Sequence, residues 1–233
     1  MTSPFAYQAS RAAAVERTYL RQVFAWMLLG LALTTGVAIY LDSTADVLSY
    51  FDRHSGAFWL LFFVQLGLVF GLSWAIGRIS ARTAALLFCL YAGLTGVLFA
   101  LLFQIYTTGS VVGAFAGATG VFAGMAAYGY TTDRDLSGWG AALFGALIGL
   151  IVASIAFAFV GGSAFNLIIG WAGVIIFAGL TAYDMQSLKR IGAQAQGDAD
   201  TTQKLAIFGA LRLYLDFINL VISLLRIFGG GRR

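Results

Sequence analysis

Two aspartates stand inside stretches of the sequence that are otherwise typical of membrane-spanning helices. Asp184 lies in LTAYDMQSLKR, and Asp216 lies within LRLYLDFINLVISLLRIF, residues 211–228. A carboxylate at the centre of a membrane helix costs about 2.5–3.5 kcal/mol on insertion scales. Because intramembrane acids usually mark ion or proton pathways, proton or cation handling is the chemistry that we expect from this pair.

The two carboxylates are predicted to act together, because they fall on consecutive helices joined by a short connection. Two carboxylates that are close together and away from water oppose each other's ionisation, so they would share a proton and titrate as a unit. With both ionised they would repel each other or hold a cation. With one protonated they would hydrogen-bond and tie their helices together. Asp184 and Asp216 are therefore predicted to form a pH sensor and a weak, transient cation site, since two carboxylates supply few of the oxygens that a tightly held cation needs.

Basic and amide side chains near the pair offer alternatives to a shared proton. Arg212 precedes Asp216 by four residues and Asn219 follows it by three, so both share its helix face and are predicted accessory residues. Arg78 ends the second apolar run on the same inner side as the pair. A competing interpretation is that arginine or backbone satisfies each aspartate, and that both merely hold helices together.

The rest of the sequence predicts the elements that must position these residues. The chain has 233 residues, of which 60% are hydrophobic and only 10% charged, whereas soluble domains are about 25% charged. Long apolar runs indicate membrane spans, and lipid tolerates only helices or closed barrels. We therefore predict an all-α membrane protein, a seven-transmembrane-helix bundle. The predicted spans are 22–40, 57–77, 84–105, 109–130, 138–160, 163–187 and 205–228.

A single transmembrane domain is predicted over residues 22–228, after an N-terminal segment, 1–21, and before a flexible tail, 229–233. Basic residues before the first span and in alternate connections place the N-terminus in the cytoplasm by the positive-inside rule. An odd number of spans then places Arg232 and Arg233 outside, against that rule. A half-inserted last segment would remove the conflict, so the side of the C-terminus stays open.

Glycines recur at helical spacing on two of the predicted spans. Such small-residue stripes let helix backbones approach closely, so we expect them to mark packing surfaces. The stripes consist of Gly113, Gly117, Gly120 and Gly124 on the fourth span and Gly145 and Gly149 on the fifth.

The motifs of common enzyme classes are not found in this sequence. HExxH, GxSxG, a P-loop and CxxC do not occur, so we expect neither an enzyme nor a resident cofactor. An intramembrane aspartyl protease is the one enzymatic alternative, because it also uses two aspartates on adjacent spans and Tyr183-Asp184 fits its first motif. Its second motif normally reads GxGD, whereas Asp216 stands in YLDF.

Three stretches of the sequence together resemble one known family. TAYDMQSLKR followed by LYLDFINLVISLLRIFG is similar to the last two spans of the Bax inhibitor-1 (TMBIM) family. YGYTTDRDLSGWG, residues 128–140, resembles that family's connection between its fourth and fifth spans. The likeness covers nearly the whole chain and is greatest to the bacterial members.

The resemblance implies a bundle with a central span and a pH-sensitive calcium leak whose sensor is the pair of aspartates matched by Asp184 and Asp216. It also implies an arginine latch at the inner end of the second span, for which Arg78 is the match and Arg82 the alternative. Some members carry a glutamate on the pore side of the second span. Gln65 corresponds to that glutamate here, and it removes a charge from the predicted pore.

The resemblance leaves two functional classes open. One is a calcium leak of a bacterial inner membrane, with the bilayer, Ca²⁺ and H⁺ as its partners and no role for nucleic acid. The other is a membrane regulator that conducts nothing and binds partner proteins, such as a protease or a component of a stress or cell-death response.

Overall fold

The computed structural model describes residues 4–44, 46–160, 163–194 and 198–229. These ranges are almost entirely helical and contain no strand. The helices are α1 (Pro4–Thr44), α2 (Val47–Arg53), α3 (Ser55–Ala75), α4 (Ala81–Ile105), α5 (Thr108–Thr131), α6 (Ser137–Val160), α7 (Ser163–Gln194) and α8 (Ala199–Phe228).

The predicted all-α membrane fold with seven spans is confirmed. Within the described ranges, every helix except α2 is long and apolar enough to cross a membrane. The shortest candidate span, Gly56–Ala75, has 20 residues, which at about 1.5 Å per residue matches a hydrocarbon core about 30 Å thick. Of the seven, α8 is the most buried, since 67% of the residues in its most apolar stretch are buried.

The helices depart from the predicted bounds in the polar connections. The seven-residue helix α2 lies where only a connection was predicted, and Asp46 caps it by accepting the Ser49 N–H at 3.0 Å. In addition, α7 continues past the predicted end at residue 187 to Gln194, and α8 begins at Ala199 rather than at residue 205. Hydrophobic runs locate the lipid-crossing parts of helices, but a helix can continue in water beyond them. Residues 230–233 of the predicted tail lie outside the described ranges.

The described chain divides into two compact units. Unit 1 comprises residues 1–105 and 189–211, and unit 2 comprises residues 106–188 and 212–233. Both α7 and α8 therefore contribute one part to each unit. Asp184, Arg212 and Asp216 all belong to unit 2.

In unit 1, α1 packs closely along α4. A Cβ at Gly96 would lie 2.6 Å from the Cβ of Val37 and 2.8 Å from the carbonyl oxygen of Thr34, so the two backbones nearly touch there. One turn earlier, the Thr34 hydroxyl donates to the Ala92 carbonyl at 2.9 Å. The missing side chain of Gly96 thus permits this helix contact.

Aspartates satisfy backbone N–H groups at the starts of two helices in unit 1. Asp198 lies immediately before the helix, and its carboxylate accepts the Thr201 N–H at 2.8 Å. Asp200 accepts the Ala81 N–H at the start of α4 at 3.1 Å. Helix N-termini leave backbone N–H groups unsatisfied, and these two carboxylates satisfy one at each helix.

In unit 2, the predicted glycine stripes are not the packing surfaces, and that prediction was wrong. A Cβ at five of the six positions would meet no described atom within 4 Å, and only Gly117 approaches a side chain, that of Leu224 at 3.2 Å. Close approaches fall instead at other glycines, among them Gly129, where a Cβ would overlap the Ala182 carbonyl, and Gly140, against the Tyr183 ring. Spacing shows which glycines share a face, but not what that face meets.

The α1–α4 contact predicts that Gly96→Ala destabilises the protein. The new methyl group cannot fit between Val37 and Thr34, and overpacking of this kind costs about 1–3 kcal/mol. Gly93→Ala, one turn away on the same helix, is the matched control, since no described atom lies within 4 Å of its Cβ position. Thermal unfolding in detergent should therefore show a lower midpoint for the Gly96 variant alone. Equal midpoints for the two variants would contradict the packing described.

The start of α8 is predicted to lose protection in acid. The hydroxyl and backbone N–H of Thr201 hold the pKa of the Asp198 carboxyl below its usual range, because both stabilise its charged form. The cap therefore contributes stability above the unfolded pKa, about 4, and loses it as pH falls through the lower folded value. Hydrogen-exchange protection at Thr201 should fall in acid. In Asp198→Asn, which keeps a capping oxygen, this acid-dependent fall should disappear, and its persistence would exclude Asp198 as the cause.

Candidate functional site

An ion pair joins the two helices that carry the aspartates. Asp184, on α7, is only 6% exposed, and Arg212 reaches it from α8. The Arg212 Nε donates to Asp184 Oδ2 at 3.0 Å, and Nη2 donates to Oδ1 in a second, shorter bond. A bidentate arginine–carboxylate pair of this kind is among the strongest polar contacts in proteins. Asp184 is therefore already neutralised by its partner.

Asp216 lies one turn beyond Arg212 on the same face of α8, without an equivalent partner. It is 4% exposed, and its Oδ2 accepts no hydrogen bond from the described residues. It nevertheless interacts electrostatically with both Asp184 and Arg212. A buried polar atom without a partner costs about 1–3 kcal/mol, and more when it carries a charge.

The site thus holds two carboxylates and one guanidinium. If both carboxylates are ionised, the group carries a net charge of −1 in an apolar surrounding. If Asp216 is protonated, the group is neutral. Because the guanidinium already binds both oxygens of Asp184, Asp216 is the member that a proton or an external cation would neutralise.

Two neighbours on α7 hold the guanidinium in place. The Tyr183 ring lies below it, with 5.8 Å between the guanidinium carbon and the ring centroid. In addition, Arg212 Nη1 lies 3.5 Å from the Ser187 hydroxyl oxygen. One turn of α7 therefore supplies the carboxylate, the aromatic face and a polar neighbour for Arg212.

The other residues predicted for the site have different surroundings. In unit 1, the exposed Arg78 lies over the Trp74 ring at 4.6 Å. Arg82 is also exposed, and a latch role for either arginine stays a prediction. In the same unit, the Gln65 amide donates to the Thr95 hydroxyl at 3.2 Å.

The accessory residues differ in what they contact. Spacing along α8 makes Arg212 a possible partner for Asp216. In the structure, its guanidinium binds Asp184 on α7 instead. The Asn219 amide donates to the Leu215 carbonyl of its own helix at 2.8 Å.

Sequence reasoning did not single out Gln186, which lies two residues after Asp184. Its side chain is 7% exposed and binds the backbone of residues 134–136, between α5 and α6. The only available signal was its place in TAYDMQSLKR, one of the stretches on which the family resemblance rests.

Comparisons of the sequence with known proteins show the family to which the chain belongs. The sequence model of a family described as "Inhibitor of apoptosis-promoting Bax1" matches residues 16–233. The chain belongs to the Bax inhibitor-1 family. The inner membrane protein YbhL of Escherichia coli K12 is 44% identical over 217 residues, 93% of each chain. A Deinococcus radiodurans protein is 42% identical over 211 residues, which cover 91% of this chain and 90% of the relative.

The acidic site of this Bax inhibitor-1 family protein offers few ligands for a metal ion. Groups of three or more His, Cys, Asp or Glu side chains able to hold a metal do not occur within the described ranges. One of the two intramembrane carboxylates is already bound by arginine. The donors that remain are fewer than the six to eight oxygens that a calcium ion usually takes.

The geometry predicts that removing Arg212 alone is more harmful than removing the pair. Arg212→Gln leaves Asp184 buried without its counter-charge, which typically costs about 3–5 kcal/mol. Adding Asp184→Asn removes that uncompensated charge and should recover more than half of the loss. Denaturant unfolding of both variants in detergent measures this difference, and Arg134→Gln, at an exposed arginine, is the control. If the double variant were as unstable as the single one, the pair would not be coupled as described.

Proposed function

We propose that this protein is a pH-sensitive cation leak, with calcium as its ion, in a bacterial inner membrane. One observation carries the proposal: Asp216 is buried with an oxygen that accepts no hydrogen bond from any described residue, beside an ion pair that already uses the nearby guanidinium. Family membership and the similarity to an E. coli inner membrane protein support the proposed location in an inner membrane. The cytoplasmic N-terminus follows from the distribution of basic residues.

Protonation of Asp216 is the proposed switch. With a proton bound, the three-residue group is neutral and the ends of α7 and α8 in unit 2 can pack around it. When the proton leaves, a negative charge stays in an apolar environment, which is costly unless a cation enters or water gains access. Loss of the proton therefore favours a looser contact between the two helices.

The same change attracts the ion. An ionised Asp216 gives the site a net negative charge, which draws a cation, and its free carboxylate oxygen is the hard ligand that calcium prefers. Asp184 stays bound to Arg212 and limits the number of ligands. The expected outcome is brief occupancy and a slow leak rather than storage of the ion.

The proposal assigns neither an enzymatic reaction nor a cofactor to the chain. Its partners are the bilayer, protons and the passing cation, and no nucleic acid takes part. The chemistry of the site supports this, since its polar groups compensate a charge and provide no activated nucleophile.

A non-conducting membrane regulator is the second candidate function. The Asp184–Arg212 ion pair favours it, because a bidentate pair can also serve only to tie two helices together. In that case partner proteins would recognise the membrane-exposed or polar surface, and protonation would have no consequence for ion flow.

Calcium flux as a function of pH tests the proposal. Proteoliposomes loaded with a calcium-sensitive dye should leak more as pH rises, by up to about tenfold per pH unit for one released proton. Asp216→Asn keeps the site in its neutral form, so the leak should stay low at every pH. In Asp184→Asn, Arg212 becomes available to Asp216, and the pH dependence should also be lost.

Asp200→Asn is the matched control for these variants. It makes the same substitution on the same helix at an exposed aspartate, and an asparagine oxygen can still accept the Ala81 N–H. Wild-type pH dependence is expected there. Vesicles that show no protein-dependent flux would favour the regulator, and an unchanged pH profile in Asp216→Asn would remove the proposed switch.

A further inference from the structure

The backbone between α5 and α6 is bound by one buried amide. We call residues 132–136 the α5–α6 connection. Gln186 Oε1 accepts the Leu136 N–H at 2.9 Å, and its Nε2 donates to the Arg134 carbonyl at 2.7 Å. Gln186 and Leu136 are both buried. Because both bonds go to main-chain atoms, they fix the path of the connection whatever its side chains are.

The turn of α7 that carries Gln186 also carries Asp184. Two residues along a helix point roughly 200° apart, so Asp184 reaches Arg212 on α8 while Gln186 reaches the connection. Between them, the Tyr183 ring lies under Arg212 and also fills the space left by Gly140 near the start of α6, where a Cβ would lie 2.5 Å from the ring. Opposite sides of one helical turn therefore hold the ion pair and the connection.

The close packing around α7 leaves this helix little room to move at the ion pair without also moving at the connection. At Gly129, α5 comes so close to Ala182 that no side chain could be placed between them. Packed interiors pass small displacements on rather than absorbing them. A shift or rotation of α7 that follows a change at the ion pair must either carry the connection with it or break the two hydrogen bonds of Gln186.

We propose that Gln186 is a positioning residue that couples the α5–α6 connection to the acid site, so that the connection moves when the site changes its protonation. The inference rests on the proposed function in one respect, since it takes Asp216 as the group that gains and loses the proton. Such coupling is reciprocal, so anything that restrained the connection would alter the proton affinity of the site.

Other titratable groups lie on α7 and on the elements around it. Arg212 and Tyr183 act directly on the site, and Lys189 and Arg190 follow on α7. On the connection, the side chains of Asp133, Arg134 and Asp135 are exposed. On α5 the titratable groups are Tyr128 and Tyr130, and α6 contributes none. Besides Arg212 and Asp216, α8 carries Asp200, Lys204, Tyr214 and Arg226. Substitution of Asp216 separates its contribution from all of these.

A spin label on the connection tests the coupling without measuring ion flow. The chain has one cysteine, Cys89, so Cys89→Ala with Asp133→Cys gives a single labelling position at an exposed site. In vesicles, the mobility of the label should change between acidic and alkaline pH, and Asp216→Asn should abolish that change. Gln186→Met, which keeps the side-chain length but removes both hydrogen bonds, should also abolish it and leave the label mobile at every pH.

Gln203→Met is the matched control, because the same substitution there falls on an exposed glutamine of α8, and the label's response should be retained. The coupling is overturned if the label in Gln186→Met responds as in the parent protein, or if the parent label never responds. The latter comparison needs only the parent and the Asp216 variant, so it stands even if Gln186→Met does not fold. A label that responds through Asp216 in vesicles without calcium flux would support the coupling while contradicting the leak, whereas a pH-dependent leak with an unresponsive label would do the reverse.

Discussion

One guanidinium between two buried carboxylates is the constraint on which the rest of this site depends. Arg212 can fully neutralise only one of them, and its bidentate contact assigns that role to Asp184. The second carboxylate, on Asp216, is left in an apolar setting, and one of its oxygens has no hydrogen-bond partner in the part of the chain that the structure describes. Two carboxylates and one guanidinium leave one negative charge uncompensated when both acids are ionised. A proton or a passing cation would remove this charge imbalance without any change of fold. The proposed response to pH rests on this imbalance.

In unit 2, several elements contact the turn of α7 that carries Asp184. Gly129 and Gly140 lack the side chains that would keep α5 and α6 away, so both helices come close to Ala182 and Tyr183. Gln186 then binds the backbone between them. The turn is thereby in contact with α5, α6, the connection and α8. The position of the turn depends on all of these contacts. A change of charge at the site can therefore displace the elements that the turn contacts.

The sequence was sufficient for the membrane fold, because hydrophobic length is a direct physical requirement for crossing lipid. It also located Asp184 and Asp216, since a carboxylate among apolar residues stands out by composition alone. It could not show which carboxylate Arg212 binds, because spacing along α8 favoured Asp216 and only the arrangement of α7 against α8 places Asp184 within reach. The glycine stripe on α5 misled for a similar reason. Its spacing predicted a packing face, but close approach occurs where a neighbouring backbone lies, as at Gly129.

Infrared measurement of the carboxyl groups tests the central claim most directly. A protonated carboxyl and a carboxylate absorb at different frequencies, so difference spectra of the protein, of Asp184→Asn and of Asp216→Asn across a pH titration identify which side chain exchanges the proton. We expect one buried carboxyl to titrate in the wild-type protein, and its band to be absent from Asp216→Asn, with Asp184 remaining ionised throughout. A titrating band that survives in Asp216→Asn and disappears in Asp184→Asn would contradict the account.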